Sequence, residues 1–189
     1  MGGRRMGLSE ELRVLARRHP RPTWEGHANL GQLARFWLER HAMFRRLDEM
    51  IRDGVEAASG GAVEAEDVRR WLGRHLRWFL WQLEEHHQVE DLHYFPVFRR
   101  LEPRLAAGFD LLERDHEALH VAIGGIVERA NPVLATQGSG GADFRSDLAR
   151  LRDAQVALGG QLIRHLDDEE DLVIPLILER GEQALTGGA

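Results

Sequence analysis

The run His86-His87-Gln88-Val89-Glu90-Asp91-Leu92-His93-Tyr94-Phe95-Pro96 sets an imidazole and a carboxylate four positions apart. On an α-helix that spacing stacks His86 and Glu90 on one face, one turn apart. Side chains so placed can grip one metal ion, or two adjacent ions where the carboxylate bridges. The pattern recurs 79 positions later in His165-Leu166-Asp167-Asp168-Glu169-Glu170-Asp171-Leu172-Val173-Ile174-Pro175. His86 corresponds to His165, Glu90 to Glu169, Asp91 to Glu170 and Pro96 to Pro175. Acidic residues number 31 in 189, so one His-x-x-x-Glu is weak evidence alone. Two copies that share an acidic pair and a distal proline are a much stronger signal.

The chain is long enough for one domain with a sizeable core. Hydrophobic residues are 43% and charged residues 30%, ordinary for a soluble globular protein. A net charge of -6 without a basic run gives no footprint for nucleic acid. No apolar stretch reaches the length of a membrane span, and Met1-Gly2-Gly3-Arg4-Arg5-Met6 lacks the apolar core of a signal peptide and the hydroxyl residue of a myristoylation signal. A cytoplasmic protein with no membrane partner is expected. Cysteine is absent, which excludes disulfides, thiolate metal sites, iron–sulfur clusters and cysteine nucleophiles. Any metal must rest on nitrogen and oxygen, and ten histidines are available.

Residues 1–23 read as an N-terminal extension with a short helix over 8–18, broken by His19-Pro20-Arg21-Pro22. Periodicity predicts a long helix over 24–53, with His41 inside the stripe Leu30, Leu33, Ala34, Trp37, Leu38, Phe44, Leu47 and Ile51, ended by Gly54. A second spans 64–100, with Trp71, His75, Trp78, Phe79, Gln82, His86, Val89, Glu90 and His93 on one face. Pro96 should kink it or end it early. A third spans 105–131, with Leu112, His116, Leu119, His120, Ile123 and Val127 on one face and Asn131-Pro132 as its stop. Gly124 and Gly125 cost it ~1 kcal/mol each against alanine, which only close packing explains. A fourth spans 142–180 and is capped by Gly181, leaving 182–189 as a loose tail. Leu38-Glu39-Arg40-His41 is echoed by Leu112-Glu113-Arg114-Asp115-His116, so the chain reads as two similar αα-hairpins. Together they predict an all-α, antiparallel up-and-down four-helix bundle over 24–181.

His41, His86, Glu90, His116, His120, His165 and Glu169 then form a constellation of five imidazoles and two carboxylates, with at least one from every long helix. That is more than one ion needs and suits two, with the carboxylates bridging. Imidazole and carboxylate without thiolate suit iron, and also manganese or zinc. The alternative for the His/Glu pairs is a solvated helix face or a buried ion pair, but core carboxylates without partners cost several kcal/mol. His41 alone would read as an ordinary core histidine, and its place opposite His116 in the repeat raises it to a candidate ligand. His87, Asp91, His93 and Glu170 adjoin ligands and read as partners that orient them, or as exposed residues, with His87 able to replace a ligand. His75 and His93 could line a pocket or channel, His19 and His27 read as structural or surface residues, and Trp78 and Phe79 are placed to shield the site from water.

Three marks, His86-His87-x-x-Glu90-Asp91 with Phe95-Pro96, His116-x-x-x-His120, and His165-x-x-x-Glu169-Glu170, resemble the hemerythrin-like, or HHE cation-binding, family over roughly residues 25–180. The resemblance implies a non-haem di-iron centre with an oxo or hydroxo bridge. His116, His120 and His165 would bind one iron, His41 and His86 the other, and Glu90 and Glu169 would bridge them. An open position would take a small ligand such as dioxygen, peroxide or nitric oxide. Oxygen-carrying members place an aspartate five residues after the last histidine. Glu169 at four resembles bacterial and regulatory members instead. The expected function is to bind or sense dioxygen, nitric oxide or iron. The alternative is a di-iron oxidoreductase that decomposes peroxide or reduces nitric oxide, with His87 or His93 as its acid–base group. A metal-stabilised bundle with a structural role is the third.

Overall fold

The computed structural model describes residues 7–60, 64–135 and 141–186, and the regular elements among them are all helical. In chain order they are α1 (Val14–Arg18), α2 (Gln32–Ser59), α3 (Ala65–Val89), a π-helical turn (Glu90–Tyr94), α4 (Phe95–Leu101), α5 (Ala106–Ala135), α6 (Ala142–Arg180) and α7 (Glu182–Thr186). Short 3-10 turns stand at Arg21–Thr23 and Pro103–Leu105. No described helix is long and apolar enough to cross a membrane. The chain divides into two compact units: residues 1–41, 88–116 and 163–189 in the first, 42–87 and 117–162 in the second.

Each long helix buries one seam in alternating steps of three and four. On α2 it runs Ala34, Trp37, His41, Phe44, Asp48, Ile51; on α3 it ends Phe79, Leu83, His86 and leads to Glu90. On α5 it runs Phe109, Leu112, His116, Leu119, Ile123, Ile126; on α6 Leu151, Gln155, Leu158, Leu162, His165, Glu169, Leu172. This rhythm, near 3.5 residues, is that of helices packed side by side with shallow crossing.

In the first unit the N-terminal segment is part of the core. Leu8, Leu15 and Trp24 join Phe95, Phe98, Phe109 and Leu112 around the end of α6, where Leu172, Val173, Ile174, Leu176, Ile177 and Leu178 are all buried. A helix apolar on every side needs cover on every side. Aromatic rings lock this core, with Trp37 and Tyr94 edge-to-face at 5.0 Å and Phe95 and Phe109 at 5.3 Å between centroids. In the second unit Phe44 and Phe79 pack at 6.4 Å, and buried Gln155 donates Nε2–H to Asp48 at 2.9 Å.

Several boundaries differ from the sequence expectation. The first long helix begins at Gln32 rather than 24, because the carboxylate of Glu182 accepts the Ala34 N–H at 2.9 Å and caps it there. That capping group belongs to α7, so residues 182–186 are helical where a loose tail was expected. The same helix continues through Gly54 to Ser59. Gly54 is a spacer there, since a Cβ would sit 2.2 Å from the Trp71 ring. Ahead of Pro96 the helix widens into the π-turn instead of ending: the N–H of Phe95 reaches back five residues to the Glu90 carbonyl, which absorbs the proline's missing donor. Pro132 lies inside α5, which runs on to Ala135. Gly124 does not mark close packing, since a Cβ there meets nothing within 4 Å, and a Cβ on Gly125 would meet only the Arg129 guanidinium of the same helix, at 3.2 Å. Trp78 is 44% exposed and shields nothing, whereas Phe79 is fully buried. Gly181 caps α6 as expected, with a φ of 75° and its N–H bonded to the Ile177 carbonyl. The expected glycine-rich loops at 59–61 and 137–141 fall largely outside the described residues.

Candidate metal centre

The first unit gathers His41 from α2, Glu90 from the π-turn, His116 from α5, and His165 and Glu169 from α6. All five are at most 4% exposed. Glu90, His116, His165 and Glu169 each offer a ligand atom within 4.8 Å of the others. The helical seam explains the convergence, because each donor takes a position that a core leucine or phenylalanine would otherwise fill.

The donor atoms point two ways. His41 Nε2 stands 3.4 Å from Glu169 Oε1, whereas His165 Nε2 stands 3.1 Å from Glu169 Oε2. One carboxylate thus faces a different imidazole with each oxygen. Trp37 donates its indole N–H to Glu169 Oε1 at 2.6 Å, fixing the plane of that carboxylate. His116 Nε2 lies 3.5 Å from Glu90 Oε2 and 3.1 Å from His165 Nε2.

The outer ring nitrogens face a second set of acids. His41 Nδ1 meets Glu170 Oε1 at 3.1 Å, His116 Nδ1 meets Asp91 Oδ1 at 2.8 Å, and Asp115 Oδ2 stands 3.7 Å from His165 Nδ1. An ionised carboxylate has no proton to give, so Nδ1–H is the donor toward Glu170 and Asp91, and Nε2 is left as a lone pair turned inward. The inward Nε2 lone pair of His116 meets His165 Nε2 at 3.1 Å, a contact that needs a proton or a cation between the two nitrogens. Two imidazoles at ~2.1 Å from one ion and at right angles to each other stand about 3 Å apart. The residues present fit a metal centre on this ground, as well as on their all-nitrogen-and-oxygen chemistry.

The electrostatics are those of a buried site short of positive charge. Burial, reinforced by the charge of Glu169, holds the Glu90 carboxyl well above its ordinary pKa. Burial pushes Glu169 the same way, but His41 and His165 overcome it and hold Glu169 well below the ordinary range. At His41 and His165 burial opposes the charged form and the facing carboxylates outweigh it, so both rings are raised. Burial, with His165 adding to it, lowers His116 in spite of Asp91.

Of the seven ligands expected from sequence, the structure brings His41, Glu90, His116, His165 and Glu169 together. His86 stands one turn before Glu90 on the continuous helix and is 9% exposed. His120 is not brought in. Its side chain is 68% exposed and its Nδ1 meets Glu84 Oε2 at 2.9 Å. The α5 seam steps from His116 to Leu119 and Ile123, so position 120 turns outward. His93 is exposed, and His75 hydrogen-bonds the Trp71 carbonyl in its own helix. His87, beside His86, is buried at 5%. Asp91 and Glu170 are the outer partners of His116 and His41, while Asp115, Trp37 and Arg21, which bonds Glu170, complete the shell. Asp115 had a visible signal, being the extra letter in Leu112-Glu113-Arg114-Asp115-His116 relative to the first repeat; Arg21 had none.

Fold and donor set together define a helical protein with a buried cluster of imidazoles and carboxylates that could hold a cation. The family model for the hemerythrin HHE cation-binding domain matches residues 32–177, and the chain belongs to that family. No curated protein and no solved structure gave a match.

Proposed function

We propose that the protein holds two iron ions side by side in an antiparallel four-helix bundle, and that the centre binds or senses a small ligand, dioxygen or nitric oxide, or iron itself. The observation that carries this reading is the divided carboxylate: Glu169 turns Oε1 to His41 and Oε2 to His165, which is the disposition of a bridge between two ions. Glu90 would be the second bridge, His116 and His165 would hold one ion and His41 and His86 the other, with buried His87 able to stand in for the exposed His120. Manganese or zinc would fit the same donors.

When bound, such a centre supplies redox-active positions for a diatomic ligand. The chain's own residues do the rest. Trp37 fixes the plane of Glu169, Glu170 and Asp91 hold the Nδ1 protons of His41 and His116, and Phe95, stacked 5.6 Å from the His116 ring, excludes water. Of the two expected acid–base groups, His93 faces solvent and His87 is buried. The reading is tested by metal analysis of the isolated protein and its optical spectrum under argon and air. About two irons per chain and oxygen-dependent near-ultraviolet and visible absorption are expected. A colourless protein holding only zinc, or a single ion per chain, would overturn it.

A further inference from the structure

The segment before residue 32 lies outside the family match, yet it delivers a guanidinium to the edge of the centre. Arg21 donates Nη1–H to Glu170 Oε2 at 2.6 Å, Nε–H to Asp171 Oδ1 at 2.8 Å and Nη2–H to the Asp167 carbonyl at 2.9 Å. The ring of Trp24 lies against it at 5.1 Å. Glu170, 4% exposed, is thereby held at both oxygens, by Arg21 at Oε2 and by His41 Nδ1 at Oε1. We propose that Arg21 is a positioning residue for the metal centre, acting through Glu170 to fix the tautomer and tilt of His41. The proposal rests on the metal reading above and adds to it a residue contributed by the N-terminal extension.

The chemistry follows from what each group can donate. The bidentate hold of Arg21 on Glu170 and Asp171 fixes where the Glu170 carboxylate sits against the His41 ring. Glu170 then accepts the Nδ1 proton, and Nε2 remains turned toward Glu169. A neighbouring arginine supplies a control. Arg13 also ties the N-terminal segment to α6, but through Asp171 at 3.3 Å and Asp168 at 3.9 Å. Losing the tether is common to both arginines; losing the hold on Glu170 belongs to Arg21 alone.

The test titrates Co(II), whose visible bands report ligand geometry, into metal-free wild type, R21A, R13A, E170Q and R21A/E170Q, with folding checked by circular dichroism. R21A should weaken one Co(II) site about 10-fold, within the range known for partners that orient a ligand, and change its visible bands. R13A should leave affinity and bands unchanged, and the double variant should match E170Q. On metal-free protein, at a pH high enough to leave the ring neutral, nitrogen-15 shifts of His41 should show a single Nδ1-protonated tautomer in wild type and a mixture in R21A. Wild-type affinity in R21A, equal weakening in R13A, or a double variant weaker than E170Q overturns the proposal and leaves the metal reading standing. No uptake by wild type sinks both.

Discussion

Glu90→Gln separates the two demands placed on one buried carboxyl. In the metal-free protein Glu90 is 1% exposed and its pKa is held well above the ordinary range by burial and by the charge of Glu169, so folding favours its protonated form. Glutamine is the nearest neutral copy of that acid, and the substitution should cost the metal-free protein under about 1 kcal/mol. The sign of the pH dependence follows. The folded state binds a proton that the unfolded chain releases above 4.5, so metal-free wild type should lose stability as pH rises past that value, a loss E90Q removes. With metal the order reverses. An ion present at 100 times its Kd stabilises by about 2.7 kcal/mol, and for a chain of this length each kcal/mol raises Tm by roughly 2–4 °C. Each occupied site should raise the wild-type Tm by about 5–11 °C. Losing a carboxylate ligand should cut affinity at least 10-fold and take about 1.4 kcal/mol or more from that gain. The assay is thermal unfolding of both proteins, stripped and reloaded, with calorimetry in two buffers to count the proton released when wild type takes up metal. An E90Q protein that keeps the full metal-dependent rise, or wild type that releases no more protons than E90Q, would refute the reasoning.

H120A should retain the metal content of wild type, since that side chain is exposed and paired with Glu84, whereas H165A should lose at least one ion per chain by elemental analysis. Glu102 is clamped by Arg104, at 2.6 and 3.0 Å, and by Arg180 at 2.9 Å, which lower its pKa from 4.5 to about 2. Its contribution is fully present above pH 4.5 and lost as pH falls toward 2; a shielded pair would contribute about 3 kcal/mol. The arginines are 62% and 43% exposed, so screening leaves about 1 kcal/mol, read as the urea midpoint of E102Q against wild type at pH 7 and their convergence in acid. G54A should destabilise by about 1–3 kcal/mol, because the new methyl would sit 2.2 Å from the Trp71 ring. Urea unfolding of G54A and of G54A/W71L should show the second substitution recovering part of the loss.

What the sequence made legible follows from periodicity, and what it hid follows from contacts between distant segments. The bounds of α6 and its Gly181 cap were readable because a seam and a left-handed glycine are local signals. The start of α2 was not, since its cap comes from Glu182, far along the chain. Gly54 looked like a stop and proved to be clearance for Trp71, a distinction that only a neighbour on another helix can make. His116 and His120 looked equivalent at i and i+4, yet the seam on α5 advances by three after His116 and leaves His120 in solvent. Asp91 and Glu170 were readable as companions of ligands, but which histidine each would hold was not, because Glu170 orients His41 rather than its own neighbour in sequence.

The seven-residue buried run Leu172–Leu178 near the end of α6 ties these observations together. Seam positions in a helix pair are interchangeable between apolar residues and donors only if the donors find partners, and here the donors sit at the level where the N-terminal segment closes over α6. Leu8, Leu15 and Trp24 cover the apolar outer side of Leu172–Leu178, while Arg13 and Arg21 meet the acids just before it, Asp168, Glu170 and Asp171. The same extension therefore dries one turn of α6 and neutralises the previous one. Without it, Asp167, Asp168, Glu170 and Asp171 would flank the buried Glu169 without the arginines that now meet three of them. The acidic run that looks excessive for a two-ligand motif is balanced from outside the matched domain.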